Sequence, residues 1–195
     1  MSVQESLVIE LREFKSSDIT KEYIEAHNTS KVRYYSGSGS RKFDETSIAD
    51  EINKGLESQS SFYFGIYEKG SHGLIGPIII QDVNLKNKTA DVTPFIFFKK
   101  YFKYRLGSTA IKMGCQKAFD DLGIRKVFGG INKNNIGAVK TFLNSNYVIE
   151  GVRRAHFGSN TDYTDEILVA CFNKKYFSED FLDEYKTTFE DIYGK

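Results

Sequence analysis

Leu7, Ile9 and Leu11 alternate with Val8, Glu10 and Arg12, a period of two that predicts a strand at the start of the chain. The spacing then turns helical. Ser16 or Ser17 is placed to cap a helix over residues 18–26 with Ile19, Tyr23 and Ile24 on one face. Ile48, Ile52 and Leu56 recur every four residues and predict a second helix over 45–57. Between them, residues 28–43 read as a Ser- and Gly-rich loop, with Arg33, Tyr34, Tyr35 and Arg41 as its basic and aromatic members. Residues 62–67 and 74–81 alternate again around a Lys69-Gly70-Ser71 turn and predict a hairpin. Residues 90–98 add a third strand carrying Pro94. Proline has no N–H for a ladder, so it marks an edge, a bulge or a strand leaving its neighbour.

The second half reads as helix and strand by turns. Ala110, Ile111, Gly114, Ala118, Phe119 and Leu122 form an apolar stripe over 108–122, and Gly123 is placed to end that helix. A short strand follows over 124–130. Ile136, Val139, Phe142 and Leu143 then face inward from a helix over 135–144, with Asn146 at the left-handed stop. Residues 147–157 and 166–172 close the pattern as an antiparallel pair. The order implies an α/β fold of the α+β type, a mixed and mostly antiparallel sheet with helices on both faces. Beyond a domain of residues 1–175, Phe177, Phe181, Tyr185, Phe189 and Ile192 define a C-terminal helical extension over 176–195, with Ser178 as its cap. Its stripe packs on its own domain or, alternatively, forms a homodimer contact.

Composition narrows the function. The 195 residues are 40% apolar and 27% charged with two prolines, which suits one folded domain. A net charge of +1 excludes broad attraction to nucleic acid or to a membrane surface. Acidic Glu5 and Glu10 and the lack of a long apolar h-region argue against a signal peptide, so a cytoplasmic location is expected. Cys115 and Cys171 have no CxxC spacing and read as buried reduced thiols. His27, His72 and His156 are too scattered to predict a metal cluster or a nucleophilic triad.

Residues 122–127 read Leu-Gly-Ile-Arg-Lys-Val and are followed by Asn132, Asn135, Phe142, Tyr147 and Glu150-Gly151. This order resembles the pattern LGxxRV…N…NxxS…LEKxGFxxEG of the GNAT acetyltransferase superfamily. The branch it looks most similar to contains ribosomal-protein N-terminal acetyltransferases (the RimJ/RimL-like enzymes) and bacterial amino-sugar N-acetyltransferases. Arg154 with His156, and Asp165 before the last strand, fall where that branch has R-x-H and D. The resemblance implies a central sheet of about seven strands with one splayed parallel pair, and acetyl-CoA as co-substrate. Its pantetheine arm would lie where residues 92–98 part from residues 126–130. The family's loop Q/R-x-x-G-x-G/A corresponds to Phe102-Lys103-Tyr104-Arg105-Leu106-Gly107, which keeps only the last glycine.

A helix begins just after this loop, and its unpaired first-turn N–H groups and partial positive charge suit a pyrophosphate. The cofactor residues so implied are Ile96, Phe97 and Phe98; Lys103, Tyr104, Arg105, Leu106 and Gly107; Ser108 and Thr109, whose hydroxyls add donors; and Asn132, Asn135 and Phe142. Phe142 stands where many members carry a tyrosine, so a tyrosine acid at that point is excluded. Asp91, His156 and Asp165 are the candidates for the base that deprotonates an amine. Arg33, Tyr34 and Tyr35 are the candidates for holding the acceptor. The expected function is acetyl-CoA-dependent N-acetylation of a primary amine. A nucleotide-linked amino sugar is favoured slightly over a protein N-terminus, because the net charge lacks the one-signed surface a ribosomal partner would favour. A GNAT-fold binding module without turnover is the competing class.

Overall fold

The computed structural model describes residues 7–29, 43–57, 60–71, 73–159, 162–184 and 187–194, so Arg33, Tyr34, Tyr35 and Arg41 lie outside the described residues. Seven strands form one sheet: β1 (Ile9–Glu13), β2 (Phe62–Glu68), β3 (Leu74–Asn84), β4 (Thr89–Pro94), β5 (Lys126–Asn132), β6 (Val148–Ser159) and β7 (Asp162–Phe172). Their spatial order is β1-β2-β3-β4-β5-β7-β6. All neighbours are antiparallel except β4 and β5. A parallel pair needs a long crossover. Here it consists of a 3-10 turn (Lys99–Tyr104) and the helix α3 (Leu106–Asp121).

Strand alternation sorts the apolar residues into two layers. On β2, Phe62, Phe64 and Ile66 belong to the larger core, while Tyr63 between them belongs to a smaller one. The larger core takes the stripe of α3, where Ala110, Ile111, Gly114 and Ala118 are buried. Gly114 sets the approach: an added Cβ would lie 2.6 Å from Ile78 Cδ1 and 2.7 Å from Val92 Cγ1. The smaller core joins Phe14, Ile19, Tyr23, Phe43, Ile48 and Phe97, and so seats α1 (Lys21–Thr29) and α2 (Glu45–Glu57).

Several boundaries differ from the periodicity. The first helix starts at Lys21, because residues Ser16–Asp18 form a separate 3-10 turn closed by Asp18 Oδ2 on the Lys15 N–H at 2.7 Å. Its cap is therefore Thr20, whose Oγ1 accepts the Tyr23 N–H at 3.1 Å, and not Ser16 or Ser17. β4 stops at Pro94, and α3 starts two residues before Ser108. The stops at Gly123 (φ 64°) and Asn146 (φ 67°) are left-handed as expected.

The tail forms two short helices rather than one. In α5 (Glu179–Asp183), Ser178 Oγ accepts the Phe181 N–H at 3.3 Å. In α6 (Phe189–Tyr193), Thr188 and Asp191 form a capping box. Phe177 and Phe181 lie with their ring centroids 5.0 and 5.6 Å from Phe172, and Phe189, Ile192 and Tyr193 pack on the larger core. The described tail thus covers its own domain. Tyr185 lies outside the described residues.

Candidate active site

The site begins where the sheet opens. β4 and β5 pair only at Thr89–Lys126, Ala90–Val127 and Asp91–Phe128. Past that point β4 stays with β3 and β5 stays with β7, so a fork opens between them. The Phe95 N–H donates to the Pro77 carbonyl at 2.8 Å. Ladder alternation therefore turns the main-chain groups of Val92 and Pro94 into the fork. The N–H that Pro94 lacks is one the β3 ladder does not use, so a proline is tolerated here because the strand parts from its neighbour. Glycine at 76 is needed for the same bend, since an added Cβ would collide with the Phe95 carbonyl.

A cavity of about 660 Å³ opens beside the fork. It lies between the start of α3 and the helix α4 (Ile136–Leu143), and it is lined by Pro94, Ile96, Tyr101, Phe102, Arg105, Leu106, Gly107, Ser108, Ile111, Asn135, Gly137, Ala138, Lys140, Thr141, Phe142 and Asn144. Arg105 stands just before α3 with φ 52° and ψ 37°, a left-handed conformation, and no side chain caps the helix. That backbone explains why a glycine suits this place and what an arginine there costs, about 1–2 kcal/mol of backbone strain. In return its exposed guanidinium stands on the cavity wall beside the first-turn N–H groups. The arrangement fits a diphosphate at the helix start and an extended amide-bearing arm along the fork.

Of the cofactor residues implied by sequence, Ile96, Arg105, Leu106, Gly107, Ser108, Asn135 and Phe142 line this cavity. Ser108 does so without a free hydroxyl: its Oγ donates to the Asn144 carbonyl at 3.0 Å, tying α3 to the end of α4. Asn135 Oδ1 accepts the Ala138 N–H at 3.2 Å as the cap of α4. Phe98, Tyr104, Thr109 and Asn132 are not part of the lining. Phe98 instead packs on Tyr101, with centroids 6.5 Å apart, and Asn132 Oδ1 accepts the Asn134 N–H at 2.9 Å. The side chain of Lys103 lies outside the described residues. Lys140 is a lining residue that the sequence reading misses; its place on the same face of α4 as Gly137, Thr141 and Asn144 is the available signal.

Phe97 belongs to a second cavity. Across residues 94–97 the side chains alternate: Pro94 and Ile96 line the first cavity, Phe95 and Phe97 the second. The second measures about 230 Å³ and is walled by Tyr23, His27, Phe43, Glu51, Ile52, Tyr63, Pro77, Ile79, Gln81, Phe95 and Phe97. The wall is chiefly aromatic; Tyr23 and Phe97 meet edge to face at 5.5 Å, His27 and Phe43 at 5.2 Å. Burial, and then the Glu51 carboxylate, push the hydroxyls of Tyr23 and Tyr63 upward, so both stay neutral donors. Among the described lining residues there is a carboxylate, Glu51, and no lysine or arginine.

Asp91 lies on β4 at the level where the fork begins. It pairs with Gln81 across the β3–β4 ladder and ends the β4–β5 pairing. A Cβ added to Gly129 would lie 3.7 Å from Asp91 Oδ2, which puts the carboxylate at the mouth of the fork. Burial pushes its pKa up to about 6, against the Thr93 hydroxyl that donates to Oδ1 at 2.6 Å, with Asp82 adding to the rise.

Asp165 is in a different state. It accepts the Ala155 N–H at 3.0 Å and Arg154 Nη1 at 2.8 Å, with Lys133 Nζ 3.9 Å away, and these hold its carboxyl below the ordinary range. His156 Nε2 lies 3.5 Å from Glu166 and 3.3 Å from Arg153 Nη1. Glu166, buried and unforeseen, fills the space over Gly130 that an added Cβ would occupy. Asp165 and Glu166 lie at the Asn132 end of β5. That is about 13 Å along the strand from the level of Asp91, so the three candidate bases do not form one cluster.

Among the described residues no group of His, Cys, Asp and Glu could hold a metal ion, and no helix is long and apolar enough to cross a membrane. The model of the Acetyltransferase (GNAT) domain family matches residues 9–145. The chain is similar to the probable N-acetyltransferase YjcK of Bacillus subtilis, with 23% identity over 141 residues covering 72% of this chain and 75% of that protein. A solved spermidine N-acetyltransferase from Vibrio cholerae, in complex with CoA and spermine, superposes with a TM-score of 0.76 at 18% identity, covering 86% of this chain and 97% of the other. A dodecameric structure of spermidine N-acetyltransferase from that organism gives a TM-score of 0.70 at 18% identity, with 87% and 96% covered. The forked parallel pair and the family match agree: the chain belongs to the GNAT acetyltransferase family, with acetyl-CoA as its co-substrate.

Proposed function

We propose that the protein transfers the acetyl group of acetyl-CoA to the primary amine of a small acceptor that carries further positive charge, the class to which polyamines belong. The observation that carries this reading is the wall of residues 94–97, which separates a cavity fit for the co-substrate from an aromatic one whose described lining holds the carboxylate of Glu51, with Asp91 at the mouth of the fork. Aromatic faces and a carboxylate attract an ammonium. A nucleotide-linked amino sugar would bring a diphosphate toward Glu51 with no cation among the described lining residues, so that acceptor has less support. The spermine bound in the Vibrio cholerae structure supports a cationic acceptor. The likeness to the ribosomal-protein branch keeps a peptide N-terminus as the other acceptor class.

The co-substrate supplies a thioester. The amine arrives as an ammonium, and Asp91, poised near pH 6, takes its proton. The freed nitrogen forms a bond to the acetyl carbon while the carbon–sulfur bond breaks and its electron pair stays on sulfur. The second amine proton leaves with the thiolate or to solvent. A thiol of ordinary pKa, about 8.5, leaves without full protonation. That agrees with a phenylalanine at 142 and with a Tyr147 hydroxyl engaged 3.3 Å from Cys115 Sγ in the core. Orientation of the two reactants does much of the remaining work.

Free-thiol release measured against diamines, polyamines, amino sugars and N-terminal peptides tests the reading. Diamines and polyamines should give the highest kcat/KM, and Glu51→Gln should raise KM for them about 10-fold with kcat nearly unchanged. Turnover of an amino sugar or a peptide alone would overturn it.

A further inference from the structure

The tail reaches the rim of the cofactor cavity. Thr187 bridges to Ile149, and the Thr188–Asp191 capping box fixes the start of α6. The Tyr193 hydroxyl donates to the Lys133 carbonyl at 2.7 Å, in the connection that leads into α4. Phe189 stacks on Tyr193, centroids 4.4 Å apart and planes at 23°. Lys140 Nζ lies 5.0 Å from the centroid of the Phe189 ring. Lys140 and Arg105 are the cationic residues among those described along the cavity.

An exposed lysine ordinarily spreads over many rotamers and loses that freedom when it meets a ligand. A ring face restrains the ammonium without consuming its three N–H donors. We infer that Lys140 binds a phosphate group of the co-substrate and that Phe189, itself set by Tyr193, is the positioning residue that holds it ready. The tail, which lies beyond the matched family region of residues 9–145, then forms part of the cofactor site. This rests on the assignment of the larger cavity to acetyl-CoA.

The test is a cycle of Lys140→Met, Phe189→Leu and the double variant, with acetyl-CoA affinity measured by calorimetry. Lys140→Met should weaken binding about 10-fold, as expected for a charge-assisted contact. Phe189→Leu should weaken it about 2- to 5-fold, Phe189→Tyr should restore it, and the double variant should match Lys140→Met alone. Turnover of S-acetylpantetheine, which lacks the phosphates, should be unchanged in all of them. Dephospho-CoA divides the sources: a Lys140→Met loss that persists with it assigns the diphosphate, and one that disappears assigns the 3′-phosphate. A Lys140→Met affinity within twofold of wild type, losses that multiply in the double variant, or an equal fall with S-acetylpantetheine would overturn the inference. Failure of the wild-type protein to bind acetyl-CoA would instead overturn the assignment of the cavity.

Discussion

Asp91→Asn should make the enzyme slower and, at alkaline pH, more stable. An aspartate carboxyl ordinarily titrates at 3.8, and burial at the fork moves this one to about 6. Below pH 3.8 the group is protonated in folded and unfolded chains alike and contributes nothing to the difference. As pH rises from 3.8 to about 6, the unfolded chain ionises while the folded one resists, and stability falls; above about 6 the whole penalty is present. At 1.36 kcal/mol per tenfold change in acidity, the gap amounts to roughly 2–3 kcal/mol, an upper value because Asp91 keeps some contact with solvent. Asparagine has nearly the same shape, carries no charge and still offers an oxygen to the Thr93 hydroxyl. The variant should therefore melt about 3–8 °C above wild type at pH 8, with the advantage gone near pH 4. Its kcat should fall by a factor on the order of 10² to 10⁴, and wild-type kcat/KM should fall tenfold per pH step below about 6. Thermal denaturation at pH 4, 6 and 8, with initial rates of thiol release, checks both. An Asp91→Asn variant less stable than wild type at pH 8, or one retaining more than about a tenth of the rate, would refute the reasoning.

Arg105→Gly removes the strained backbone and the guanidinium together. Folding stability should stay within about 1 kcal/mol, since relief of strain is offset by a more flexible unfolded chain. Acetyl-CoA affinity should fall about 10- to 100-fold if the arginine binds phosphate; equal or tighter binding by calorimetry would show that it only fills space. Gly114→Val should destabilise the fold by about 2–4 kcal/mol in denaturant titration, because its side chain has no room between α3 and the Ile78–Val92 surface; a smaller loss would mean the helix can lift at little cost.

Much of the fold is legible in the sequence because its signals are local. The two-residue period finds the first strand and the hairpin, and the left-handed stops at Gly123 and Asn146 are readable from residue type and spacing. Pro94 points to the fork for the right reason, a donor the ladder can do without. The boundaries that differ depend on choices among neighbours of equal propensity, as with Thr20 over Ser16 and Ser17 as the cap. In the site, the helix start is visible from the loop before it, but which wall a side chain faces is not. Phe97 and Phe98 group with Ile96 in sequence because the three are contiguous and apolar. The structure puts Phe97 in the second cavity and packs Phe98 on Tyr101. Ser108 looks like a spare donor until α4 comes within its reach, a contact between residues 36 positions apart. Glu166 stays hidden for a similar reason, since it owes its place to Arg153 across the sheet.

The wall of residues 94–97 also bears on how such an enzyme can change. Neighbouring side chains line different cavities, so under the proposed assignment point substitutions at 95 or 97 retune acceptor choice while the surface at 94 and 96 stays intact. A deletion or insertion of one residue would exchange the two sets at a stroke and spoil both. Variation among relatives should therefore enter this stretch as replacements of constant length, with the odd positions free to drift and the even ones held.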